Sequence, residues 1–234
     1  MASLINREQI RDVVHNKNRS RLKFVQDILG PIITNMPNGI FLDLGCGSGV
    51  LTRMIGAENP SLTVVGADIA SHGHNRLTMP IPDNVNFINF NPFKVNEAVQ
   101  GARIGGVLIS GVLHHIDPLE RHRFYDDLRK IVTPETKIVI VEHNVNFGSV
   151  ERRAISTIDN FANKGMGITE PSHYYSGQEL ANELEEHDFA ITDTSSVGRT
   201  YFTVPFPGGV VAVTAEVSNG LSVPISVSRY EIAA

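Results

Sequence analysis

Between Asn6 and Ile33 apolar residues recur at steps of three and four: Ile10, Val13, Val14, Leu22, Val25, Ile28 and Leu29 stand among charged positions. That spacing draws one stripe along a helix, so the segment is expected to be helical. Pro37-Asn38-Gly39 ends it. The pattern then changes to short, unbroken apolar runs. Ile40 to Leu44 leads directly into glycines and is followed by amphipathic Val50 to Ala57, the signature of strand, tight turn and helix. Leu62 to Asp68, close behind Asn59-Pro60-Ser61, supplies the second strand of a βαβ unit, whose strands run parallel.

The alternation continues. A third strand is expected over Val85 to Phe90, a short helix over Phe93 to Val99, a fourth strand over Gly106 to Ser110, a helix over Leu119 to Val132 and a fifth strand over Lys137 to Glu142. Five strands alternating with helices predict a doubly wound α/β sheet. From Asn144 to Tyr175 the pattern becomes irregular, with a candidate helix from Val150 to Asn163 and breakers at Gly165, Gly167 and Pro171. Insertions of this kind often carry substrate contacts. Ser176 can cap a helix reaching about His187, with Glu179 placed for a capping box. Ala190 to Ser196 reads as a sixth strand, and Tyr201 to Val204, a Pro205 to Gly209 turn and Val210 to Ala215 as strand, turn and strand. No repeat or low-complexity linker divides the chain, so one domain over 1–234 is expected, with a helical cap at 1–37 and a substrate-side insertion at about 144–175.

Composition narrows the class. A chain of 234 residues with 41% hydrophobic content suits one α/β domain with a sizeable core. The net charge of -5 and pI ≈ 6.0 offer no general attraction to phosphate backbones or anionic membranes, so neither nucleic acid nor membrane is an expected partner. The lone cysteine, Cys46, cannot make an internal disulfide, and Met1 to Arg11 lacks the apolar core of a signal peptide. A cytoplasmic protein is the expectation. No apolar run approaches the roughly 18 to 20 residues of a membrane-spanning helix.

A glycine turn between a buried strand and a helix lets a ligand approach the backbone, and the helix N-terminus offers free N–H groups. Here Gly45, Gly47 and Gly49 follow G-x-G-x-G, whereas a dinucleotide fingerprint needs a small residue where Val50 stands. Asp68 ends the second strand 19 residues after Gly49, where a carboxylate can accept both hydroxyls of an adenosine ribose. An unliganded turn and a helix-capping Asp68 are the plainer readings of the same residues. Together with Leu113-His114-His115-Ile116 after the fourth strand and Ile138 to Glu142 as the fifth, these motifs resemble those of class I S-adenosylmethionine-dependent methyltransferases of the small-molecule type. The resemblance covers roughly Phe41 to Phe189. It implies a Rossmann-like, seven-stranded sheet, mostly parallel with an antiparallel C-terminal strand.

The resemblance also implies roles. Asp43 and the backbone of Gly45, Cys46 and Gly47 would face the methionyl part of S-adenosyl-L-methionine, Asp68 its ribose and Ile69 its adenine. Asn91 or Asn89 stands where the family often has an adenine-binding Asp, and an amide carbonyl can accept the same bond. Ser110 and Gly111 stand where backbone contacts to the amino and carboxylate groups are usual. Asn91-Pro92-Phe93 is similar to an amino-methyltransferase motif but follows the third strand rather than the fourth, and reads as a turn.

Methyl transfer from a sulfonium is an in-line substitution, so the protein must align the acceptor and, for a hydroxyl, remove a proton. His114 matches the general base of plant-type O-methyltransferases and Glu142 the glutamate that positions it. His115-Ile116 replaces their Asp-Trp, and a loop-holding role for the Leu-His-His segment stays open. His143 is a second candidate base. His115, His173, Tyr174 and Tyr175 are candidate substrate contacts, with Arg199, Tyr201 and Phe202 as further lining, and Lys17, Arg19 and Arg21 as a basic stretch that is either solvated or ligand-facing. The 9 histidines, His72 and His74 among them, invite a metal. Converging ligands are not evident, so none is expected. The functional reading is methylation of a small molecule, oxygen first. The alternatives are a cofactor-binding protein or cyclase that does not methylate, and a methyltransferase of RNA or protein. Oligomeric state is open, with a homodimer possible and the alternating tail from Asn219 to Ala234 a candidate edge strand.

Overall fold

The computed structural model describes residues 19–69, 80–89, 99, 101–143, 176–197 and 210–218. Seven strands, β1 (Ile40–Leu44), β2 (Val64–Asp68), β3 (Val85–Asn89), β4 (Ile104–Ser110), β5 (Lys137–His143), β6 (Phe189–Val197) and β7 (Val210–Val217), form one sheet in the order 3-2-1-4-5-7-6. Strands β1 to β5 pair in parallel, and β7 lies antiparallel between β5 and β6. This is the Rossmann-like sheet expected, antiparallel strand included. The order reverses between β1 and β4, so connections leave the two strands in opposite directions and open a crevice at their carboxyl ends.

The strands read as unbroken apolar runs because the sheet is covered on both faces. With a side-chain period of two, Leu42 and Leu44 point to one face with Val107, Ile109, Ile138 and Ile140, and Phe41 to the other with Leu108, Val139 and Val141. The first face packs on Phe124, Tyr125 and Leu128 of α4 (Pro118–Ile131) and Leu180 and Leu184 of α5 (Gly177–Glu186). The second packs on Met54 and Ile55 of α3 (Val50–Glu58) and on Phe24, Val25 and Leu29. Each such fully buried side chain contributes roughly 1.5–3 kcal/mol of transfer free energy.

Within the described residues the first helical segment runs from Arg19 to Asn35, as α1 (Arg19–Phe24), a π-helical turn (Val25–Leu29) and α2 (Gly30–Asn35). The wider turn buries Val25 and Leu29. Asp117 caps α4 by accepting the Leu119 N–H at 2.8 Å, ahead of Pro118 in the first turn, where a missing N–H costs nothing. Ser176 and Glu179 close the expected capping box on α5 at 3.2 and 2.7 Å. Boundaries differ from the sequence reading by one or two residues, as at β4, which starts at Ile104 rather than Gly106. The expected helix from Phe93, up to its last residue Val99, lies outside the described residues. So do the expected insertion at 144–175 with its candidate helix, the expected strand over Tyr201 to Val204 and the tail from Asn219. Among the described residues no helix is long and apolar enough to cross a membrane.

Candidate cofactor and active site

The site begins where β1 ends. The Gly45 N–H donates to the Ala67 carbonyl at 2.7 Å and the Gly49 N–H to the Cys46 carbonyl at 2.8 Å, folding the chain back before α3 starts. Gly47 and Gly49 have φ of 54° and 72°, a region that excludes ordinary side chains. A Cβ on Gly49 would collide with the Phe87 ring. A Cβ on Gly47 would meet nothing within 4 Å, so the turn presents an open backbone face there. Asp68, at the end of β2, accepts the Gly47 N–H on Oδ2 at 2.7 Å and so ties the turn to the second strand. A carboxylate oxygen accepts more than one hydrogen bond, so this leaves capacity for ribose hydroxyls. Ile69, the next residue, is 63% exposed, an apolar side chain in solvent beside the turn.

Asp43 is buried near the end of β1, and Thr52 of α3 donates its hydroxyl to Oδ2 at 2.6 Å. Burial pushes the Asp43 carboxyl up to about 7; the Thr52 hydrogen bond opposes this and the neighbouring Asp68 charge adds to it. Burial, with both carboxylates nearby, also pushes the Cys46 thiol far up, which keeps it protonated and unsuited to nucleophilic work. Arg53, in α3, is almost fully buried. Its guanidinium donates to the Ser48 carbonyl at 2.9 Å and lies 5.0 Å from the centre of the Phe87 ring, bracing the turn from behind.

Across the crevice, β4 ends in Ser110 and Gly111 follows, its N–H donating to the Val141 carbonyl at 2.9 Å. The Ser110 hydroxyl is buried without a hydrogen-bond partner among the described residues. After it, Leu113–His115 makes one 3-10 turn. Glu142, the penultimate residue of β5, holds this turn with both oxygens: Oε1 accepts the Val112 and Leu113 N–H groups at 2.8 and 2.7 Å, and Oε2 meets His114 Nδ1 at 2.6 Å. Burial alone would raise the Glu142 carboxyl, but the His114 imidazole, then His143, then the Leu113 N–H outweigh it and hold the group below the ordinary glutamate value. The His114 ring centre lies 3.9 Å from that of His115 and 5.0 Å from that of His143. His114 is 2% exposed and His143 9%, so these two imidazoles are buried rather than solvated.

The structure thus gathers Asp43, Gly45, Cys46, Gly47 and Asp68 on one side of the switch point and Ser110, Gly111, His114, His115, Glu142 and His143 on the other. Asn89 ends β3 with an exposed side chain. Asn91, His173, Tyr174, Tyr175, Arg199, Tyr201, Phe202, His72, His74 and Lys17 lie outside the described residues. Arg21 is half-buried, and burial lowers its guanidinium pKa. In the Leu-His-His segment the fifth-strand carboxylate engages the first histidine, His114.

Thr52 and Arg53 escape the sequence reading. Thr52 had a signal, since a polar residue in the first turn of α3 on its strand-facing side must find a partner. Arg53 had none: an arginine in an amphipathic helix reads as solvated, and its burial rests on partners outside its own helix, the Ser48 carbonyl and the Phe87 ring of β3. Buried Arg121 of α4, paired with Glu183 of α5 at 2.9 Å, was equally silent; Tyr125 donates to the same Glu183 at 2.9 Å.

Residues 13–194 match the family model of the methyltransferase domain, well over half of the chain. The chain belongs to the methyltransferase-domain family. No curated protein matches the sequence significantly. Among solved structures, this methyltransferase is similar to the pyocyanin biosynthetic protein PhzM at 16% identity and TM-score 0.56, over 86% of this chain and 55% of PhzM, so it spans just over half of that protein's length. It resembles the 1,6-didemethyltoxoflavin-N1-methyltransferase of Burkholderia thailandensis, solved with 1,6-didemethyltoxoflavin and S-adenosylhomocysteine, at 17% identity and TM-score 0.58, over 91% of this chain and 87% of that one. The glycopeptide N-methyltransferase MtfA, complexed with S-adenosylmethionine, aligns at 12% identity and TM-score 0.61, over 84% and 94% of the two chains. At these identities the likeness is one of fold.

Proposed function

We propose that this methyltransferase transfers the methyl group of S-adenosyl-L-methionine to a small molecule, at oxygen. The observation that carries the reading is the pairing, across one switch point, of a carboxylate-flanked open glycine turn with the buried His114–Glu142 pair. The bound cofactor supplies an electrophilic methyl on a cationic sulfur. The residues fit it: Asp43 would meet the ammonium of the amino acid portion, the Gly45 to Gly47 backbone would let it approach, Asp68 would receive the ribose, and the buried Ser110 hydroxyl would have a hydrogen bond to give. Ile69 would cover the adenine and lose its exposure.

On the acceptor side Glu142 holds His114 by Nδ1, so proton exchange with an acceptor hydroxyl would run through the buried Nε2. Glu142 then stabilises the imidazolium that forms, without itself taking the proton. The small-molecule acceptor is supported by the didemethyltoxoflavin enzyme of the same fold and by a net charge that does not attract nucleic acid. His143, His115, His173, Tyr174 and Tyr175 are proposed to complete the acceptor side.

A second reading, favoured by the depth of His114 and by the two backbone N–H groups Glu142 also holds, makes His114 a loop-holding residue. Incubation with labelled cofactor and a panel of phenols and amines tests the function; transfer to a phenol is expected, and tight cofactor binding with no transfer to any acceptor would demote it to a binding protein. His114→Gln is expected to lower turnover by roughly 100-fold or more with cofactor affinity retained. Unchanged turnover with an unchanged pH profile assigns His114 to the loop.

A further inference from the structure

Thr52 lies nine residues beyond Asp43 and on a different element, yet the two side chains meet beside the glycine turn. Both are buried, Thr52 fully and Asp43 at 2% exposure, and the hydroxyl of Thr52 donates to Asp43 Oδ2 at 2.6 Å. By the alternation of β1, Asp43 shares the sheet face of Phe41, which α3 covers, so the contact follows from the packing of α3 on β1. Buried at the mouth of a crevice, a carboxylate that must meet a cation is costly to ionise until the cation arrives. A hydroxyl that bonds the ionised form offsets part of this cost.

We propose that Thr52 is a positioning residue of the cofactor site: its hydroxyl orients Asp43 and favours the ionised carboxylate that receives the cationic methionyl end. Oδ2 is held by Thr52, and Oδ1 lies outside that bond. The proposal rests on the reading of this turn as the S-adenosylmethionine site. The other groups that bear on Asp43 are Asp68 at the end of β2, whose charge opposes its ionisation, and the protonated Cys46 thiol in the turn. Arg53 of α3 lies near Cys46. On the remaining side β4 presents Leu108 in register with Asp43, and Ile104–Ser110 contains no ionisable residue. With the Asp43 carboxyl raised to about 7 in the free protein, binding that requires the carboxylate must release a proton below neutrality.

The test is calorimetric titration of S-adenosylmethionine into the whole protein, in two buffers of different ionisation enthalpy, from about pH 6 to about pH 9. The wild type is expected to release close to one proton at the acid end and none at the alkaline end. Thr52→Val, which keeps shape and loses the hydroxyl, is expected to bind roughly tenfold more weakly near neutrality, with the gap closing at alkaline pH and the proton-release curve displaced upward. Thr52→Ser is expected to match the wild type, and Asp43→Asn to release no proton. Equal weakening of Thr52→Val at every pH, with the proton-release curve in place, would assign Thr52 to packing and overturn the proposal. So would an unchanged proton release in Asp43→Asn. If Thr52→Val does not fold, Thr52→Ala carries the same expectations. Failure of the wild type to bind at any pH overturns the cofactor reading itself, and the proposal with it.

Discussion

Two buried carboxylates in this methyltransferase sit under opposite influences. Asp43 is raised to about 7 by burial, so the unfolded chain gives up that proton at lower pH than the folded one does. The stability this group contributes is therefore complete in acid and is lost as pH rises through about 7. Asp43→Asn, whose amide oxygen can still accept the Thr52 hydroxyl, removes the penalty. At a pH of ~8 the ligand-free variant is expected to be more stable than the wild type by about 2–4 kcal/mol, with the difference gone below a pH of ~4, as read by urea unfolding. Glu142 lies the other way, held down by His114 despite burial, so its contribution is present at neutral pH and lost in acid as the carboxyl protonates. Glu142→Ala would remove the carboxylate from buried His114 and from two backbone donors at once. A loss of about 3–5 kcal/mol is expected in the same assay, whereas Glu142→Gln, which keeps an acceptor for Val112 and Leu113, should lose less.

Between β1 and α3, the glycine turn is a packing joint as much as a ligand cradle. Phe87 of β3 lies over Gly49, and the Arg53 guanidinium lies over Phe87, so three elements meet at a point where the chain has a left-handed conformation. Gly49→Ala must adopt that conformation with a side chain and move the Phe87 ring. It is expected to cost about 2 kcal/mol or more and to weaken cofactor binding, measured by chemical denaturation and by titration. At Gly47, where a Cβ meets nothing, the same substitution tests backbone conformation alone, and its stability cost is expected to be the smaller of the two.

For the molecule as a whole, the switch point between β1 and β4 brings residues as distant in the chain as Asp43 and Glu142 to one edge of the sheet. A ligand that binds only this assembled edge stabilises the native state by mass action. S-adenosylmethionine at about 100 times its dissociation constant is expected to add about 2.7 kcal/mol, seen as a rise in melting temperature. At one fixed ligand concentration the rise should be largest at alkaline pH, where Asp43 is ionised without a proton having to leave, and in Asp43→Asn it should be smaller and without that pH dependence.

The chain's own pattern determined the order of elements and the glycine turn, because both depend on near neighbours. The unbroken apolar run of Ile40–Leu44 specifies a strand buried on both faces, the 3.6-residue period of Gly177–Glu186 specifies its buried face, and Gly45, Gly47 and Gly49 specify positive φ. The capping box at Ser176 was legible for the same reason. What the tertiary structure decided are the contacts between elements distant in sequence. The resemblance implied that Glu142 positions His114, but nothing local says that it would also hold the Val112 and Leu113 N–H groups, or that Thr52 would take Oδ2 of Asp43. Arg53 illustrates the limit most plainly, since a charged residue is read as solvated until a ring from another strand covers it. Local propensity is a property of a few adjacent residues, whereas a buried polar bond exists only once packing has excluded water from both of its partners.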